Sequence, residues 1–80
     1  MHIKILGPGC GNCHALERLT REALADLHTT AEITAVTDYP TIAGYGVMST
    51  PALVIDDQVV LSGRVPSKEQ VRQLLAARVS

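Results

Sequence analysis

His2-Ile3-Lys4-Ile5-Leu6 runs into Gly7-Pro8-Gly9 and then Cys10-Gly11-Asn12-Cys13. A short apolar run closed by Gly-Pro-Gly predicts a strand that feeds a turn. Beyond it, Cys13, Leu16, Leu19, Thr20, Ala23, Leu24 and Leu27 recur at the spacing of one helical face, which predicts a helix over about residues 11–27. Glu17 with Arg21, and Arg18 with Glu22, place opposite charges four residues apart on its wet side. The two cysteines therefore fall where a strand turns into a helix.

Working outward, Ala31-Glu32-Ile33-Thr34-Ala35-Val36 predicts a second strand. Asp38 is placed to cap a short helix over about residues 39–45, with Pro40 tolerated in its first turn and Gly46 available at its end. Ala52-Leu53-Val54-Ile55 and Gln58-Val59-Val60-Leu61-Ser62 flank Asp56-Asp57, which predicts a hairpin with a tight turn. Ser67 caps a last helix, with Gln70 at the capping-box position and Val71, Leu74 and Leu75 as its buried stripe. The first strand and residues 52–55 are nearly continuous in apolar residues, as strands covered on both faces are. The expected fold is α/β, in the order β-α-β-α-β-β-α, with a four-stranded mixed sheet flanked by helices and a crossover between the first two strands.

At 80 residues, one domain spanning 1–80 is expected. Phe and Trp are absent and Tyr occurs twice, so the core falls to Leu, Ile, Val and Ala. Seven basic and eight acidic residues, with no run of either sign, leave no basic stripe to neutralise phosphates, so nucleic acid is not an expected partner. No apolar stretch approaches the roughly 20 residues that cross a bilayer. The N-terminus lacks a long apolar segment with a small-residue cleavage site, which predicts a cytoplasmic protein. In a reducing compartment, two cysteines three residues apart point to redox or metal chemistry before a structural disulfide.

The placement has chemical consequences. Residues three apart on a helix carry Cβ atoms roughly 5–6 Å apart, close to disulfide geometry after small adjustment. The unpaired N–H groups and positive dipole end of a helix favour a thiolate at Cys10, which is expected to have a lowered pKa and to attack. Cys13, one turn inside, is expected to be less exposed and to resolve the mixed disulfide.

Other readings stand beside this one. A carrier of a metal or metalloid also uses two thiolates at a strand-to-helix turn, although two cysteines leave a zinc site short of ligands, and a capped helix closes the chain. Cys10-Gly11-Asn12-Cys13-His14 matches the c-type haem attachment pattern, for which a second axial ligand would have to come from Met48 or another histidine. Two inert core cysteines are the bland reading, opposed by the glycines on both sides of Cys10. His14 would support the Cys10 thiolate or shuttle a proton, or else be a solvated residue of the first helical turn. His2 and His28 read as ordinary surface positions.

Ser49-Thr50-Pro51 precedes the strand at 52–55, where proline cannot donate to a ladder. Gly9-Cys10-Gly11-Asn12-Cys13 after a first strand, with Tyr45-Gly46-Val47-Met48-Ser49-Thr50-Pro51-Ala52 before a hairpin, resembles the thioredoxin superfamily. Gly63-Arg64-Val65-Pro66-Ser67 is similar to its small, glutaredoxin-sized redox-active disulfide proteins, and the likeness covers essentially the whole chain. The resemblance implies a thiol–disulfide oxidoreductase with Cys10 and Cys13 as catalytic residues and no cofactor. It also implies a cis Pro51 packed against the cysteines and a Thr50 backbone that pairs with an extended substrate segment, with Gly9 and Gly63 beside it. Protein or small-molecule disulfides would be the substrates and a reductase the electron donor.

Some positions depart from the family pattern. Gly9 stands where thioredoxins usually have Trp, and Gly11-Asn12 replaces their Gly-Pro. Ser62-Gly63-Arg64 replaces the glutathione motif of glutaredoxins. The first strand holds no acidic residue to serve as the proton relay of larger thioredoxins. A sensor or regulatory subunit that exchanges electrons with a single partner is a third possibility.

Overall fold

The computed structural model describes residues 1–8 and 11–79, without the side chain of Val79. The order is β1 (His2–Leu6), α1 (Gly11–Asp26), β2 (Glu32–Val36), α2 (Tyr39–Gly44), β3 (Ala52–Ile55), β4 (Gln58–Ser62) and α3 (Lys68–Val79). The strands form one sheet in the order β2-β1-β3-β4, with β1 parallel to β2 and the other two pairings antiparallel. This is the mixed, helix-flanked sheet of the thioredoxin fold.

The apolar runs in β1 and β3 follow from this order, because both are central strands. Alternation along β3 sends Leu53 and Ile55 to one face, where they pack with Ile3, Ile5, Leu16, Ala23 and Leu24 and with Val71 and Leu75 of α3. Ala52 and Val54 face the other way and pack with Leu6 and Ile42 of α2. Helices α1 and α3 thus cover one face and α2 the other. Fully burying a Leu such as Leu53 contributes about 1.5–3 kcal/mol. The exposed ion pair Lys68–Asp26 at 3.3 Å, which ties α3 to α1, contributes only about 0.2–1 kcal/mol. Packing decides the fold.

The helix ends obey local chemistry. The Asp38 carboxylate accepts from the Thr41 backbone N–H at 3.0 Å, and Gly46 with φ +77° follows the Tyr45 C-cap of α2. Ser67 and Gln70 complete a reciprocal capping box: the Gln70 N–H donates to Ser67 Oγ at 3.2 Å and the Ser67 N–H to Gln70 Oε1 at 3.1 Å. Helix α1 ends in a Schellman motif, with the Thr29 N–H on the Leu24 carbonyl (3.0 Å) and the His28 N–H on that of Ala25 (3.1 Å). This puts His28 in the left-handed region at φ 53°, a place usually held by glycine. Glu17 and Arg21 close to 3.2 Å, but Arg18 and Glu22 form no ion pair, consistent with the entropy cost of fixing two long exposed side chains.

Asp56 and Asp57 have φ of 49° and 67°, the pattern of a type I′ turn. Aspartate is among the few non-glycine residues that enter this region, and the Asp56 carboxylate also accepts the His2 backbone N–H at 2.9 Å, tying the turn to β1. One residue of β4 is extra: Leu61 opposes Leu53 and Val59 opposes Val54, which leaves Val60 as a bulge.

His28→Gly should raise the unfolding free energy by about 1 kcal/mol in a urea titration, since it relieves the left-handed strain. The Thr41 hydroxyl and backbone N–H beside Asp38 hold its carboxyl below the ordinary 3.8. A lowered native pKa gives stability that is present above 3.8 and lost as pH falls below it. Unfolding midpoints measured across acid pH should therefore drop more steeply for the wild type than for Asp38→Asn.

Candidate functional site

The strand register gathers the site at one end of the sheet. Val36, Leu6, Ala52 and Ser62 lie opposite one another in a single row across β2, β1, β3 and β4. One step beyond that row stand Gly7, Pro51 and Gly63. The Gly7 N–H donates to the Val36 carbonyl at 2.9 Å, and the Gly63 N–H donates to the Pro51 carbonyl at 2.9 Å. Three loops that are remote in sequence are thereby tied to the same edge.

Helix α1 enters here. Cys13 lies in its first turn and is only 6% exposed, a member of the core beneath α1. The first-turn N–H groups of α1 precede any intrahelical acceptor, and no carboxylate of that turn offsets the positive end of the helix dipole. His14, one residue on, is exposed. Gly9 and Cys10, named above as a substrate contact and as the attacking sulfur, lie outside the described residues.

The Thr50–Pro51 peptide bond is cis, Pro51 is fully buried and Thr50 is partly exposed. Gly63 lies in the left-handed region at φ +84°. A Cβ built on it would stand 3.4 Å from the Ser49 Cβ, so the backbone of this loop packs directly beneath the segment that leads to Pro51. Met48, in that same segment, is 96% exposed.

Two features escaped the sequence reading. Gly7 was visible only as a turn former, yet it is where Cys13 and Thr50 converge: a Cβ on Gly7 would collide with Cys13 Sγ and lie 3.7 Å from the Thr50 Cβ. Lys4, Tyr45 and Asp57 meet on the α2 side of the sheet. Lys4 Nζ donates to the Tyr45 hydroxyl and to Asp57 Oδ1 (3.4 Å), and sits 5.2 Å from the centre of the Tyr45 ring. The Tyr45 contact, chiefly, raises the Lys4 pKa above its ordinary value. This anchors the residue from which the chain departs toward Thr50 and Pro51. No spacing rule pairs residues so distant in the chain.

Comparison with known proteins agrees with the fold. The profile of the family described as Thioredoxin domain matches residues 1–76. A thioredoxin of Methanothermobacter thermautotrophicus is 37% identical over 76 residues, covering 95% of this chain and 99% of that protein. A thioredoxin of Methanocaldococcus jannaschii is 37% identical over 73 residues, covering 91% of this chain and 84% of that one. The chain belongs to the thioredoxin family, a family of thiol–disulfide oxidoreductases. Among the described residues no helix is long and apolar enough to cross a membrane.

Gly63→Ala should lower the unfolding free energy by roughly 1–2 kcal/mol, because alanine must be held at a φ that its Cβ disfavours. Urea unfolding of the variant checks this.

Proposed function

We propose that the chain, acting as one domain in the cytoplasm, exchanges dithiol for disulfide through Cys10 and Cys13. Protein or small-molecule disulfides are its substrates and a reductase restores the dithiol. The supporting observation is the seat of Cys13: the first turn of α1, at the sheet end where Thr50 and Pro51 also lie, in a chain of the thioredoxin family.

The Cys10 thiolate attacks one sulfur of the substrate disulfide. A Cys10–substrate bond forms, the substrate S–S bond breaks, and the departing thiolate takes a proton. The Cys13 thiolate then attacks Cys10 Sγ, forming the Cys10–Cys13 disulfide and releasing the second substrate thiolate. Two electrons have passed from protein to substrate. Thr50, a partly exposed residue, would offer its backbone polar groups to an extended substrate segment, with Gly9 and Gly63 alongside. The absence of an indole at Gly9 leaves this contact to main-chain groups and small side chains.

Cys13→Ser should accumulate a mixed disulfide through Cys10 when challenged with a protein disulfide, detected by mass spectrometry. Better trapping by Cys10→Ser would reverse the two roles. The pH midpoint for alkylation of Cys10 should fall below about 8.5, the value of an ordinary thiol. Stoichiometric, sub-micromolar binding of Zn²⁺, Cu⁺ or arsenite under anaerobic conditions, without disulfide exchange, would instead make the protein a carrier.

A further inference from the structure

We propose that Gly7 is a positioning residue for the resolving sulfur. The absent side chain at position 7 is the space that Cys13 Sγ occupies, and a methyl group there displaces the sulfur. The inference rests on the exchange reaction proposed above and names a residue on which its second step depends.

Two common reasons for a glycine do not apply. Gly7 is not among the residues with positive φ, so no left-handed backbone requires a glycine there. Its N–H bonds to Val36 as the bonds of a regular ladder do, so it is no unpaired turn. What remains is close approach. A Cβ at Gly7 would overlap Cys13 Sγ, whereas its distances to the Cys13 Cβ and Thr50 Cβ, 3.5 Å and 3.7 Å, are ordinary contacts. Among the described residues the conflict is with the sulfur alone.

The backbone of Gly7 is poorly placed to retreat. Leu6 before it is fully buried between Val36 and Ala52, and the Gly7 N–H is held at 2.9 Å by the Val36 carbonyl. Cys13 is likewise held, as part of the core under α1. The coordinate that remains is rotation about the Cys13 Cα–Cβ bond, which takes Sγ out of its present contacts to another staggered position. Such a rotation carries the sulfur by more than an ångström, and misplacement of about 1 Å can cost a reaction on the order of a hundredfold. The affected step is the attack of Cys13 on Cys10 Sγ, in which the new S–S bond forms as the substrate thiolate leaves.

The test compares Gly7→Ala with wild type, both fully reduced. In a Cys10→Ser background, Gly7→Ala should raise the rate at which iodoacetamide alkylates Cys13 by roughly tenfold or more, as the buried sulfur leaves its seat. With Cys10 present, release of substrate from a preformed mixed disulfide should slow on the order of tenfold to a hundredfold. An unchanged alkylation rate, or an unchanged release rate, overturns the proposal. If Gly7→Ala does not fold, Gly7→Ala/Cys13→Ala decides: with the sulfur gone the double variant should unfold at the same urea midpoint as Cys13→Ala, and a midpoint well below it overturns the proposal. Disulfide exchange by the wild type tests the underlying reading separately. A wild type without exchange but with the alkylation response sinks the oxidoreductase reading while the sulfur's seat stands.

Discussion

Strand β3 is buried on both faces over its whole length, and the remaining architecture depends on that burial. Its four side chains alternate between two apolar clusters, so the sheet must have helices on each side. Its position between β1 and β4 sets the row in which Leu6, Ala52 and Ser62 align. Gly7, Pro51 and Gly63 sit one residue past that row, and α1 with Cys13 begins beyond Gly7. A one-residue slip of β3 would exchange Leu53 and Val54 between clusters and withdraw Pro51 from the edge. Packing of small aliphatic side chains thus holds the register on which the site is built.

Backbone groups do most of the positioning at the site. The Gly7 and Gly63 amides clamp neighbouring carbonyls, and the carbonyl of Pro51 is one of them. Small residues suit this edge because helix, strand and loop meet there with little room between backbones. The Lys4–Tyr45–Asp57 cluster acts at longer range: it fixes the end of α2 to the sheet and thereby one end of the segment leading to Pro51.

Most of the fold was legible in local pattern. The apolar stripe of α1, the Ser67–Gln70 capping box and the doubly apolar β1 and β3 each carry a period or cap that a single stretch of sequence displays. The Asp38 cap and the Asp56-Asp57 turn were legible for the same reason. The end of α1 was less so, because His28 occupies a position where glycine would have signalled a stop. The bulge at Val60 left no mark, since it exists only relative to β3. The motif around Cys13 and the stretch before Pro51 were each readable, and the family resemblance implied that they meet, but no local pattern marked Gly7 as the point between them. Gly7 shows why: its importance is the volume it leaves to a sulfur six residues away, and a glycine after a strand looks the same whether it turns the chain or yields space.

The extra residue in β4 has a further consequence. Gln58-Val59-Val60-Leu61-Ser62 is uncharged, lacks proline and forms the outer margin of the sheet, the composition most prone to recruit foreign chains. The bulge breaks the even cadence of its outward amides and carbonyls, which an incoming strand must match bond for bond. A single inserted valine therefore works against fibril-like stacking at the border where charge offers no defence.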